Sequence, residues 1–124
     1  MYIKNFEDLV VWQKAHELVK KIYRDPEINL PIEERYGIES QLKRAVVSVP
    51  ANIAEGCRRR HTKELTHFLN IALGSLSEVR YYLLLCKDFN YITENKYKLL
   101  LKDCTEIDKM LDSLMYNLTH KIKS

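Results

Sequence analysis

The sequence predicts an all-α fold: an up-and-down antiparallel four-helix bundle, one domain over residues 1–124. Three observations predict it. Four stretches carry apolar residues at steps of three and four. Strand-like alternation bounded by turn residues is missing, and only three glycines and three prolines interrupt 124 residues. The connections at 57–61 and 90–93 are short, which makes neighbouring helices antiparallel. A chain of this length buries a real core. The expected helices are about 6–24, 33–56, 62–90 and 94–121.

In the first helix Trp12, Ala15, Val19 and Ile22 form the inner stripe, with Leu9, Leu18 and Tyr23 beside it. Asn5 is placed to cap it, with Glu7 and Asp8 in the first turn where anions are favoured. Trp12 reads as a core anchor and His16 as a flanking residue. Pro26 and Pro31 then make residues 25–35 a loop.

Residues 36–63 organise the rest. On a helix, Ile38, Leu42, Ala45, Val46, Val49 and Ile53 share one face. Gln41, Arg44, Ser48, Asn52 and Glu55 line a second. That second face is either an ordinary solvated surface or a recognition face. Ser48 and Asn52 cost helix propensity and cover little apolar area, which favours recognition. With Ser75 and Glu78 of the third helix, the candidate polar stripe is Gln41, Ser48, Asn52, Glu55, Ser75 and Glu78. Pro50 interrupts the hydrogen-bond ladder, but the apolar spacing continues across it. A kinked, continuous helix is expected, with the freed Val46 carbonyl met by Ser48, Asn52 or water. Gly56 is the expected stop, as a left-handed glycine.

Charge is concentrated here. From Gln41 to Lys63 there are six Lys or Arg and one acid, a formal +5 in a chain of net +3, so the remainder carries −2. Arg58, Arg59, Arg60 and Lys63 beside a helix start suit phosphate or carboxylate, with Lys43 and Arg44 contributing. The plain alternative is a charged loop paired with acids of a neighbouring helix or subunit. Thr62 is placed as the next N-cap.

In the third helix Leu65, Leu69, Ala72, Leu76, Val79 and Leu83 form one stripe. Phe68, Ile71, Leu73, Tyr82, Leu84 and Phe89 add apolar surface elsewhere. One bundle core cannot satisfy all of these, so the excess predicts an oligomer. Gly74 and Ser75 suggest close helix approach. The fourth helix, capped by Thr93, has a seam of Tyr97, Leu100, Cys104, Ile107, Leu111, Leu114 and Leu118.

The run YGIESQLKRAVVSVPANIAEG, with FEDLVVWQKAHELVKKIY before it and FLNIALGSLSEVRYYL after it, resembles the four helix bundle protein family, also called the 23S rRNA-intervening sequence protein family. The resemblance covers nearly the whole chain. It implies a bacterial up-and-down bundle assembling as a ring-like homopentamer. It also implies kinship to the accessory proteins of diversity-generating retroelements, which bind nucleic acid through a basic surface. It brings no agreed catalytic residues. Here Arg58 stands where a second glycine is common, His61 where serine is common, and Arg80 where an acid is common. Both arginine changes make this copy more basic.

Other chemistry finds little support. MYIKNFEDL carries charge with no apolar core after it, and the run at 81–86 is too short to span a bilayer, so a cytoplasmic protein is expected. Cys57, Cys86 and Cys104 lack CxxC spacing and read as reduced thiols. Cys57 and His61 are expected in a loop. Together with Glu64 and His67 they have helix-like spacing, but no second ligand pair exists, so no metal is expected. Glu55 and Glu78 are the one carboxylate pair worth testing for acid–base work. Helix-to-helix hydrogen bonding, or pairing with Arg44, accounts for them better. No glycine-rich phosphate loop is present, and no cofactor is implied. The expected function is a non-enzymatic oligomer that binds RNA or other nucleic acid. The rivals are a protein-interaction scaffold for an acidic partner and an enzyme using Glu55 and Glu78.

Overall fold

The structure is a computed structural model that describes residue 3 and residues 5–123, with side chains as far as His120. Met1, Tyr2 and Lys4, in the charged segment MYIKNFEDL, lie outside the described residues. The four helices are α1 (Val10–Arg24), α2 (Ile38–Cys57), α3 (Thr62–Asp88) and α4 (Glu94–Lys123), and no strand occurs among the described residues. Each helix packs on its chain neighbours, and α1 also packs on α4, which closes the bundle. The pair α2 and α3 shares the largest contact.

Cross-helix pairs fix the directions. Lys14 meets Glu106 at 3.1 Å and Lys21 meets Asp103 at 2.8 Å, so α1 and α4 are antiparallel. Ser48 meets Ser75 at 2.8 Å, while Gly56 lies against Leu65 and Phe68, so α2 and α3 are antiparallel too. Such exposed ion pairs add at most about 1 kcal/mol each, so the apolar seam holds the bundle. That seam buries Leu42, Val46, Val49 and Ile53 of α2 and Leu65, Leu69, Ala72, Leu76, Val79 and Leu83 of α3. On α4 it buries Leu100, Cys104, Ile107, Leu111 and Leu118, with Tyr97 and Leu114 half-buried against it.

Several local expectations change. Asn5 precedes a 3₁₀ turn, Phe6–Asp8, and its side chain caps nothing. Leu9 is extended, with ψ 125°, so the turn cannot flow into the helix and α1 starts at Val10. This rotates the inner stripe to Val11, Ala15, Leu18 and Ile22. Trp12 therefore sits half-buried at the flank, against Phe6 at 5.0 Å and stacked on His16 at 4.9 Å. The second helix likewise starts late, after a 3₁₀ turn at Ile32–Glu34. The Glu34 carboxylate accepts the Ile38 N–H at 3.3 Å and the Tyr91 hydroxyl at 3.0 Å, tying two loops together at one end. Lys96 joins that end to α4 by pairing with Asp25 and Glu27. Its hydrogen bond to Asp25 holds that carboxyl below the usual aspartate value.

α2 runs unbroken through Pro50, which is itself buried. The Asn52 amide donates to the Ser48 carbonyl at 2.8 Å and the Ser48 hydroxyl at 2.9 Å, so it does not serve the Val46 carbonyl. Gly56 is not a left-handed stop: it lies inside α2, and no described glycine has positive φ. Gly74 is exposed, with nothing within 4 Å of a Cβ placed there, so it makes no close approach inside this chain. The α3 cap position belongs to His61 rather than Thr62, without a side-chain bond. Thr93 does cap α4, accepting the Lys96 N–H at 3.1 Å.

Among the described residues the left-handed one is Asn90, φ 62°. The Tyr91 N–H reaches the Cys86 carbonyl at 2.8 Å and the Asn90 N–H the Lys87 carbonyl at 3.0 Å, a Schellman ending of α3. Asn90→Val is expected to cost about 1–2 kcal/mol, because a β-branched residue is strained at positive φ. Asn90→Gly should stay within about 0.5 kcal/mol of the wild type, since asparagine already tolerates this geometry. Thermal unfolding of both variants checks this; a valine variant with an unchanged Tm would show that the ending tolerates another backbone.

Candidate nucleic-acid interface

The α2–α3 turn forms because Gly56 has no side chain. Leu65 and Phe68 of α3 fill the space a Cβ would need, at 3.0 Å each. The chain then reverses tightly: Arg58 N–H donates to the Glu55 carbonyl and Arg59 N–H to the Gly56 carbonyl. His61 turns extended and its carbonyl receives the N–H groups of Glu64 and Leu65. Arg58, Arg59 and Arg60 fall on a short reversal at one end of the bundle, and Lys63 follows in the first turn of α3.

They do not share one role. Arg59 folds back onto the protein, pairing with Glu55 and lying 4.8 Å over the Phe68 ring. Its Nε is buried and has no partner among the described residues. Arg58, Arg60 and Lys63 are exposed, and none forms an ion pair among the described residues. Lys43 and Arg44 lie elsewhere. Arg44 is fourteen residues before Arg58, about 21 Å along the helix. Lys43 is occupied by Glu39 at 3.0 Å and the Tyr23 ring at 5.1 Å. Arg44 is exposed and forms no ion pair among the described residues. The six cations read from the sequence thus divide into an open trio at the turn, a locked Arg59, and a separate pair on α2.

The polar stripe also divides. Ser48, Asn52 and Ser75 form a hydrogen-bonded bridge between α2 and α3, and Ser75 is buried. Gln41 and Glu78 are exposed on the flanks, and Glu55 is held by Arg59 rather than by Arg44. With Ser48 level with Ser75 in antiparallel helices, Glu55 lies seven residues to one side of that level and Glu78 three to the other. Their separation along the axis is about 15 Å, so the carboxylate pair does not form. Arg44 is nearly level with Glu78, without an ion pair between them among the described residues.

No group of three His, Cys, Asp or Glu side chains able to hold a metal occurs among the described residues. Cys57 is the last residue of α2 and is buried, which corrects its placement in the loop. Burial pushes its thiol up to about 11. His61 is exposed, and His67 packs edge-on against Phe68 at 5.4 Å. One basic feature escaped the sequence reading: Lys98, Lys102 and Lys109 line a groove on α4. Their spacing was visible, but five acids within the same helix obscured it.

The family model of the 23S rRNA-intervening sequence protein matches residues 7–113. The chain belongs to that family. A crystal structure from Bacteroides thetaiotaomicron VPI-5482, of a protein of unknown function from the S23 ribosomal protein family, is similar at 30% identity and TM-score 0.78. The match covers 86% of this chain and 98% of that one. No curated protein matches the chain. The family thus has the all-helical fold and carries no assigned role to this member. No helix among the described residues is long and apolar enough to cross a membrane.

Proposed function

We propose that this family member is a non-enzymatic, homo-oligomeric, cytoplasmic bundle that binds RNA or another nucleic acid through its α2–α3 turn. The observation that carries the reading is the trio Arg58, Arg60 and Lys63: exposed and without acidic partners among the described residues, beside an Arg59 that the fold does use. Folding gives no reason to hold uncompensated cations together, whereas phosphates do. Oligomerisation is supported by apolar side chains left outside the core, with Val47 40%, Ile71 37% and Tyr81 56% exposed on α2 and α3. A ring of five, as the resemblance implies, would repeat the basic turn and multiply a modest site.

The test is binding of a fluorescent duplex RNA and a single-stranded DNA between about 50 and 200 mM salt. Arg58→Ala/Arg60→Ala/Lys63→Ala is expected to weaken binding more than tenfold and flatten the log–log salt slope by about 3. Arg59→Ala should leave affinity almost unchanged. Equal binding by the triple variant, in an unchanged assembly, would end the reading. A second reading, a scaffold for an acidic protein partner, draws on the same trio and the exposed apolar residues. Failure of the wild type to bind nucleic acid at low salt selects it.

A further inference from the structure

The outward face shared by α2 and α3 carries two rows of side chains at the spacing of a helix-packing seam. On α2, Arg44, Ser48 and Ala51 fall at i, i+4 and i+7; on α3, Ile71, Gly74 and Glu78 fall at i, i+3 and i+7. The rows flank the Ser48–Ser75 hydrogen bond, so they form one continuous face. Each row holds one charge, and the rest of it is small or apolar. Ile71 is exposed, and so is Tyr81, one turn beyond Glu78. Gly74 is exposed too, with nothing within 4 Å of a Cβ placed there and without positive φ. Alanine would strengthen the helix of the separate chain at that point, so no need inside the chain explains the glycine. Close approach of another helix supplies one.

The two rows also match each other in height. Counted along antiparallel helices from the Ser48–Ser75 contact, Arg44 lies within one residue of the height of Glu78, Ser48 of Gly74 and Ala51 of Ile71, an offset of about 1.5 Å. Gln41 and Tyr81 continue the match at one end, and Glu55 and His67 at the other. A rotation axis parallel to the bundle leaves height unchanged. It therefore sets the α2 row of one copy against the α3 row of the next, whatever the number of copies. Arg44, exposed and without an ion pair among the described residues, then meets the partner's Glu78. Ala51 leaves room for the partner's Ile71, and Ser48 lies over the partner's Gly74. Gln41 faces the partner's Tyr81, and Glu55 faces the partner's His67. A different protein would have to reproduce this register by chance, whereas a second copy has it by symmetry.

We infer that this face joins copies of the chain, the α2 row of one packing on the α3 row of the next, with Arg44 paired to the partner's Glu78. The inference rests on the oligomer reading above and assigns it a surface. Its test follows the dissociation constant of the full-chain assembly by sedimentation velocity over a dilution series, beside far-UV circular dichroism. Arg44→Glu and Glu78→Arg each set like charges opposite one another and should raise that constant at least about tenfold without loss of helix. The double reversal, Arg44→Glu/Glu78→Arg, should return it to within about threefold of wild type. Gly74→Leu should abolish assembly and leave the separate chain folded, because nothing in its own chain lies in the way. If wild type is monomeric throughout, the oligomer reading falls and this inference with it. If wild type assembles and every variant assembles as it does, this face is the wrong one and the oligomer reading stands. If both single reversals weaken assembly and the double reversal does not recover it, the pairing of Arg44 with the partner's Glu78 is overturned, and the register with it.

Discussion

Gly56→Val is expected to destabilise the protein by about 3 kcal/mol, the upper end of the range for overpacking a tight contact. Gly56 is buried inside α2, against the first turns of α3. A Cβ there would sit 3.0 Å from Leu65 Cδ1, 3.0 Å from Phe68 Cβ and 3.3 Å from the Leu65 carbonyl oxygen. The first neighbour is the end of a flexible side chain and can move. The last is backbone, in the first turns of α3, and moves only if the helix moves. Valine adds two methyls beyond that Cβ. Gly74→Ala is the internal contrast: nothing lies within 4 Å, so helix propensity alone acts, for a gain of about 1 kcal/mol. Urea unfolding of the two variants measures both signs. A Gly56→Val protein as stable as wild type would mean that α2 and α3 separate there at little cost, and the tight turn would lose its explanation.

That pair of glycines also shows what the sequence could carry. The apolar faces of α2, α3 and α4 were legible because packing selects whole stripes, and stripes survive in one dimension. Single-residue roles were less so. A glycine at the end of a helical pattern is read as a left-handed stop, since that is its commonest local use. Gly56 is instead required by Leu65 and Phe68, nine and twelve residues away, and no local pattern reveals that. Asn90 took the left-handed position with a less obvious residue. Trp12 reads as a core anchor, but after the 3₁₀ turn at Phe6–Asp8 the helix α1 starts at Val10 and buries Val11 instead. In the candidate site, the concentration of charge was legible and its division was not. Arg58, Arg59 and Arg60 are identical in one dimension. Only the geometry of the turn puts Arg59 over Phe68 and beside Glu55, leaving its two neighbours open. The same geometry separates Glu55 from Glu78, which spacing alone had allowed to meet.

The three thiols should be almost inert in the native protein, and this is the largest effect expected. Cys57, Cys86 and Cys104 are free and buried. Burial raises the first two to about 11 and Cys104 to about 12. At pH 8 a thiol near 11 is ionised in about one molecule in a thousand, against about one in ten for a cysteine at its ordinary value of 9.0. The thiolate fraction is thus lower than in the urea-unfolded chain by roughly 100-fold at Cys57 and Cys86, and because a high-pKa thiolate is the stronger nucleophile, reaction with a disulfide reagent should be slower there by about tenfold. At Cys104 the slowing should be about 40-fold, before access is counted. Access orders them further: Cys57 is 7% exposed and the other two 0%, so Cys57 should label first. Mass mapping of timed labelling reads the order. The linkage has a definite sign. A thiol whose folded value is raised contributes stability that is complete below its unfolded value near 9.0, lost as pH climbs toward about 11 and then about 12. Stability should accordingly fall on the alkaline side of 9. Rapid labelling of Cys57 at neutral pH, independent of unfolding, would instead reveal a thiolate in the basic turn. Arg58 and Arg60 would then be lowering a nucleophile's pKa, and the non-enzymatic reading would have to be abandoned.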